Sequence, residues 1–232
     1  MKTLFFLVLL ALLPSICLEA KSKKKHKLQK ITNQGAFTHI YNNAGWGKNS
    51  LGEAHSGPGS TVESSQEYIA FLQKFIREHT IRTIVDVGCG DWEVMKHINL
   101  TGIRYIGIDV VQSVIEKNQQ KYATPTIAFI HADATTFDLP VADLFLSKDV
   151  LQHIPNEDIL LITAQFPKFR HCLVTNDINL KRPAKNNKPL LNRGGWHPLD
   201  LTQPPFNLTG TAVLTYKLKN TPYPKRMFHI MH

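Results

Sequence analysis

The chain has 232 residues, enough for one well-buried domain and a tail, and its 43% hydrophobic content is that of an ordinary globular protein. The formal net charge of +9 is concentrated at one end: residues 1–30 hold seven lysines and one acid, a balance of +6, which leaves +3 for the rest. That distribution argues against a nucleic-acid groove across the folded part, and eleven scattered histidines and three cysteines without ligand spacing argue against a structural metal.

The chain opens with Met1-Lys-Thr, an apolar run from Leu4 to Leu13, then Pro14 and small residues. This is the form of a secretory signal, with cleavage after Cys17 or Ala20, and the run is short for a transmembrane helix. Lys21-Ser-Lys-Lys-Lys-His-Lys27 follows at once, and positive charge there tends to stay on the cytoplasmic side. Residues 1–20 are therefore expected to be a signal peptide or an N-terminal anchor. The protein is expected to be secreted or in a secretory compartment; the alternative is a membrane-anchored protein that faces the cytoplasm. Residues 21–35 read as a disordered basic linker.

From residue 36 the composition changes. Phe37, Tyr41 and Trp46 are interleaved with Asn42, Asn43 and Ser50, and Ser56-Gly-Pro-Gly-Ser-Thr61 forms a tight turn. Residues 63–78 read as an amphipathic helix whose stripe Tyr68, Phe71, Leu72, Phe75 and Ile76 is core packing. An apolar strand that starts at Thr83 ends on Asp86 and runs into the Gly88-Cys89-Gly90 turn. A second strand, 105–109, ends on Asp109, and a helix over 110–122 follows. Strand three is 127–131, leading to Ala132-Asp133-Ala134; strand four is 142–147, leading into Lys148-Asp149 and on to His153. A helix over 156–165, opened by Pro155, precedes strand five at 171–175, with Asn176 and Asp177 at its tip. Residues 178–209 are loop-like, and a loop of that length in a compact domain usually works as a lid or binding loop. Alternation over 212–218 and 226–232 predicts a closing hairpin. The sum is an α/β fold: a doubly wound, Rossmann-like, seven-stranded and mostly parallel sheet with a C-terminal antiparallel hairpin. Cys89 and Cys172 fall near opposite edges of that sheet, so no bridge between them is expected.

Glycine at 88 and 90 lets the chain reverse and lets a ligand approach bare backbone. With a second acid-ended strand about 20 residues further on, the layout fits an adenosine-containing cofactor. A nicotinamide-binding loop would usually carry a further glycine; here Asp91, Trp92 and Glu93 follow Gly90. An acid in this turn repels a pyrophosphate. It suits a cofactor with a cationic ammonium and sulfonium, and S-adenosylmethionine (SAM) is one.

Val85-Asp-Val-Gly-Cys-Gly-Asp91 resembles the first motif of class I SAM-dependent methyltransferases. The resemblance implies a methyltransferase domain over 36–232 that uses SAM and transfers its methyl group by in-line displacement. The acceptor is open among a small molecule, a glycan and a protein, with no nucleic acid and no metal. Under it, Asp86, Gly88 and Gly90, with Cys89, Asp91 and Trp92 beside them, line the amino-acid half of SAM. Asp109, with Val110 next to it, holds the ribose, because a carboxylate accepts from a vicinal diol through both oxygens. Asp133 meets the adenine amino group, and the Ala134 N–H meets a ring nitrogen. Ser147 and Lys148 border cofactor and acceptor. Asp149 and His153 are candidate proton acceptors, and Trp46 and Trp92 are candidates for holding the sulfonium through their ring faces.

Trp46-Gly followed by Ser56-Gly-Pro-Gly-Ser60 resembles the preamble of a small subgroup of these enzymes, one that also has a Cys-Gly-Asp-aromatic first motif, as Cys89 to Trp92 does here. That segment is expected to cap the cofactor pocket. Asn176, Arg193, Trp196 and His197 are the candidates for contacting the acceptor. An alternative from another class is a non-catalytic SAM-fold binding or scaffold protein in a secretory or membrane-associated location, since fold does not fix function.

Overall fold

The computed structural model describes residues 31–190, 192–219 and 221–232. The expected leader and the expected linker up to residue 30 lie outside the described residues. Among those described, no helix is long and apolar enough to cross a membrane. The linker was expected to reach residue 35, but a helix, α1 (Asn33–Asn42), starts earlier. Its signal is Thr32, an N-cap whose hydroxyl accepts from the Gly35 N–H at 3.1 Å.

Seven strands form one sheet, as the sequence predicts, and their order is β3-β2-β1-β4-β5-β7-β6. β1 (Thr83–Val87) lies between β2 (Arg104–Asp109) and β4 (Ala142–Lys148), parallel to both. β3 (Ile127–His131) extends the sheet beyond β2, and β5 (Phe169–Asp177) extends it beyond β4, again in parallel. β7 (Lys225–Met231) is antiparallel to β5, and β6 (Thr211–Tyr216) is antiparallel to β7. Strand β5 is longer than 171–175 because Asn176 and Asp177 also pair, with Arg226 and Lys225 of β7.

The period-2 alternation of a strand sorts its side chains between two cores. Val85 and Val87 of β1 pack with Phe145, Val174 and residues Ile159 and Ile162 of α4 (Asn156–Thr163). Ile84 packs on the other face with Leu144, Leu146 and the Tyr68, Leu72, Phe75 and Ile76 stripe of α2 (Gln66–Glu78). The stripe read from the sequence is thus core, with Phe71 only partly covered. α3 (Gln112–Tyr122) feeds Val114 to one core and Ile115 to the other. Cys89 and Cys172 are both buried and free.

This topology positions the site. Beyond β1 the chain turns one way through β2 and β3 and the other way through β4 and β5, so the carboxyl ends of β1, β2 and β4 open a crevice. The described residues between β5 and β6 form no strand or α-helix, yet Leu199, Leu201 and Phe206 among them are buried in the same core as Val85.

Candidate functional site

A cavity of about 530 Å³ lies at those strand ends, lined by residues of the turn after β1, of α1 and its following loop, and of residues 194–196. Gly88 (φ 76°) and Gly90 (φ 53°) both take left-handed backbone conformations. A Cβ on Gly88 would overlap the Val150 side chain, and one on Gly90 would overlap the Ser56 hydroxyl. The turn is held by the Ile108 carbonyl, which accepts from the Gly88 and Cys89 N–H groups at 2.7 and 3.1 Å.

Asp109 lines the cavity and is itself fixed: its two oxygens accept from the Gly90 N–H (3.0 Å) and the Val111 N–H (2.9 Å). Burial raises its carboxyl above the usual range, and those N–H groups partly offset the rise. Asp133 is held in the same way, by the N–H and hydroxyl of Thr135 (3.0 and 2.8 Å). Its other oxygen accepts from Asn33 at 3.2 Å. The amide of Asn33 also donates to Asp158 at 3.0 Å, and Arg193 pairs with both oxygens of Asp158 at 3.0 Å. Val110, Ala134 and Lys148 line the cavity as well.

The segment after α1 covers the crevice. Tyr41 and Ser56 share a hydrogen bond of 2.7 Å, and Ser56 exchanges two with Asp91 (2.9 and 3.1 Å), which fastens the cover to the glycine turn. Trp46 lines the cavity among Phe37, Tyr41 and His153, with ring centroids 5.8, 5.7 and 5.4 Å away. Gly59 presses on the ion cluster beneath it. Its carbonyl accepts from Lys148 at 2.6 Å, and a Cβ on it would stand 2.9 Å from Asp149 Oδ2.

Asp149 and His153 both line the cavity but have opposite characters. Asp149, in a left-handed conformation (φ 60°), accepts from Lys148 (2.8 Å) and Lys225 (2.6 Å). Burial alone would raise its carboxyl, but the two ammonium groups outweigh that and bring it down to about 2. A carboxylate so paired is a poor proton acceptor, which corrects its candidacy as a base. Lys225 also meets Asp177 at 2.8 Å, and these acids more than offset the effect of burial on the lysine, which stays charged. Burial lowers the basicity of His153, although its hydrogen bond to the Gly195 carbonyl (2.5 Å) opposes the shift. That bond makes Nδ1 the N–H and leaves the lone pair on Nε2, where the Gln152 amide approaches at 3.3 Å.

Several expected site residues do not line the cavity. Asp86 follows Ile84 onto the α2 side of the sheet, where it accepts from the Tyr105 hydroxyl at 2.7 Å and burial raises it to about 6. Trp92, a candidate for holding the sulfonium, instead turns away into a cage of Tyr105, Tyr122 and Phe129, with ring centroids 5.7, 4.9 and 5.5 Å away, and does not line the cavity. Cys89 packs against Gly107, and Asp91 acts on the cover through Ser56 rather than on the cavity. Ser147 is buried with its hydroxyl unpartnered. Among the acceptor candidates, Trp196 lines the cavity. Asn176 accepts from the Gln152 N–H, Arg193 is committed to Asp158, and His197 donates to the Lys188 carbonyl. Asn33, Gln152 and Lys225 join the site without having been singled out. Asn33 sat within an expected linker, and nothing local to Lys225 marks it, since strand pairing alone brings it there. No group of three side chains able to hold a metal occurs among the described residues.

Residues 85–164 match a family described as a methyltransferase domain. Among solved structures, magnesium protoporphyrin IX methyltransferase from Synechocystis PCC 6803, with S-adenosylhomocysteine (SAH) bound, is 14% identical with a TM-score of 0.59, over 87% of this chain and all of that one (100%). Human N-acetylserotonin methyltransferase in complex with SAM is 15% identical with a TM-score of 0.52, over 87% of this chain and 61% of that one. At these identities the likeness is one of fold. No curated protein matches the sequence.

Proposed function

We propose, for a chain that carries a class I SAM-dependent methyltransferase domain, that it binds SAM in this cavity and transfers the methyl group to an acceptor. The residues present fit such a ligand. The glycine turn offers bare backbone, Asp109 presents a fixed carboxylate to a ribose diol, and Asp133 stands ready for an exocyclic amine. The observation that carries the reading is the Asp109 carboxylate, fixed by two N–H groups at the tip of β2 and lining the cavity.

When bound, SAM supplies a methyl carbon already activated by a positive sulfur. What remains for the protein is to align an acceptor, exclude water and take up a proton, and orientation of this kind contributes about 7–11 kcal/mol in good intramolecular systems. The cover of α1 and residues 44–61 serves exclusion. Trp46 is the aromatic face near the expected sulfonium, and His153 is the proton acceptor, neutral with its lone pair on Nε2. Calorimetry on the full chain is the test: SAM and SAH are expected to bind, and Asp109→Ala to weaken both by about 100-fold, since a hydrogen bond to a charged group is worth roughly 1.5–3 kcal/mol. Absence of binding to the wild type would sink the reading. From the leader we also infer a secretory-compartment or membrane-associated location, which N-terminal sequencing of the mature protein would check.

A further inference from the structure

A closed ring of hydrogen bonds ties the His153 imidazole to an indole on the same cavity wall. His153 Nδ1 donates to the Gly195 carbonyl at 2.5 Å, and the next residue, Trp196, donates its Nε1–H to Asp177 Oδ2 at 2.7 Å. The Asp177 N–H donates to Gln152 Oε1 at 2.6 Å, and the Gln152 amide returns to His153 Nε2 at 3.3 Å. The two rings therefore cannot move independently. Tyr223 backs Trp196, its ring 5.3 Å away and 26° from parallel, yet the indole remains 40% exposed and lines the cavity. A large aromatic surface kept open, rigid and beside a proton acceptor is a platform for stacking.

The charges on this side are already spent. Lys148 and Lys225 bond Asp149, and Lys225 pairs with Asp177 as well, so none of these four described residues offers a free cation to a carboxylate or a free anion to an amine. We propose that the methyl acceptor is a neutral, planar aromatic hydroxyl compound that stacks on Trp196 and presents its hydroxyl to His153 Nε2. The proposal rests on the reading of the cavity as a SAM site. In the transfer, the acceptor oxygen bonds the methyl carbon as the carbon–sulfur bond breaks with its electron pair going to sulfur. The hydroxyl proton passes to His153 Nε2, displacing the long Gln152 contact, and the products are an aryl methyl ether and SAH. A phenolic hydroxyl, with a pKa of roughly 10, is within reach of a neutral imidazole in a way that an aliphatic or sugar hydroxyl is not.

The test uses the full chain saturated with SAH and three probes, 2-naphthol, 2-naphthoate and octyl glucoside, titrated by calorimetry. Naphthol is expected to bind at least about tenfold more tightly than either competitor. Trp196→Ala should cost it about tenfold, the worth of one aromatic contact, while SAH affinity is unchanged and Trp196→Phe restores most of the loss. With labelled SAM, the label should appear in the naphthyl methyl ether. Naphthoate or glucoside binding as tightly as naphthol, or naphthol indifferent to Trp196→Ala, overturns the proposal. A wild type that fails to bind SAH instead sinks the cofactor reading on which it rests.

Discussion

At the scale of single residues, Asp149 and His153 illustrate how neighbours divide roles between two titratable groups four positions apart. Asp149 is locked between Lys148 and Lys225, while the His153 Nε2 lone pair meets only the long Gln152 contact. Asp149→Asn should therefore act on stability. Removing one member of a buried pair costs about 3–5 kcal/mol, which for a chain of this size lowers Tm by roughly 6–20 °C by calorimetry. The sign of the pH dependence follows from a folded value of about 2 against an ordinary carboxylate near 4. The Asp149 contribution is fully present above pH about 4 and lost as pH falls towards 2, so the variant and the wild type should converge in acid. His153→Ala should reduce kcat by about 100-fold or more in assays run well below its Tm, which the loss of the Gly195 and Trp46 contacts also lowers. The contrast was not legible in the sequence, which places both residues after β4 but says nothing of Lys225, more than seventy positions away along the chain.

At the scale of elements, the C-terminal end of α2 is fastened to the sheet by histidines. His79 follows the helix, and its ring lies 4.7 Å from His171 of β5 and 6.1 Å from His229 of β7. Phe75 packs on all three, His171 and His229 share a 3.1 Å hydrogen bond, and Arg170 donates to His171 at 3.1 Å. Burial, followed by His79, His229 and Arg170, brings His171 down to about 4, with Asp143 opposing. Since the folded value lies below the unfolded value of about 6.5, this contribution is complete above pH 6.5 and drains away as pH falls to 4. Urea titrations across that window should show the stability difference between wild type and His171→Gln falling as pH falls, with a slope approaching about 1.4 kcal/mol per pH unit for the one proton; taking the difference removes the opposite slope of Asp86, which burial raises to about 6. None of this could be read from three histidines spread over the chain. β1 and β4 were readable because each is buried on both faces and so appears as a short, mainly apolar run, whereas only the central Cys172-Leu-Val174 of β5 carries that signal. The apolar stripe of α2 was readable for the same reason of burial, expressed at helical spacing. α1 was partly hidden because its start abuts the lysine-rich segment, even though Thr32 carried a capping signal.

At the scale of the whole molecule, the cofactor crevice follows from the order of the strands and could be foreseen from two acid-ended apolar segments. The cover over it could be foreseen too, from the Trp46 and Ser56–Ser60 segment, but its anchoring could not, since the contacts come from residues far apart in the chain. Residues 33 and 193 meet at one acid: Asn33 and Arg193 both bond Asp158 of α4, and Asn33 passes the link on to Asp133. The N-terminal cover and residues 192–197 thus share a single anchor. Arg193→Ala should loosen both together, so stopped-flow mixing with SAH should give faster entry and faster escape, with the equilibrium constant moving less than either rate. In the intact protein the same arrangement acts as an interlock. Two doors hung on one carboxylate are tied to each other, so whatever loosens Asp158 should ease the passage of visitors on both sides at once.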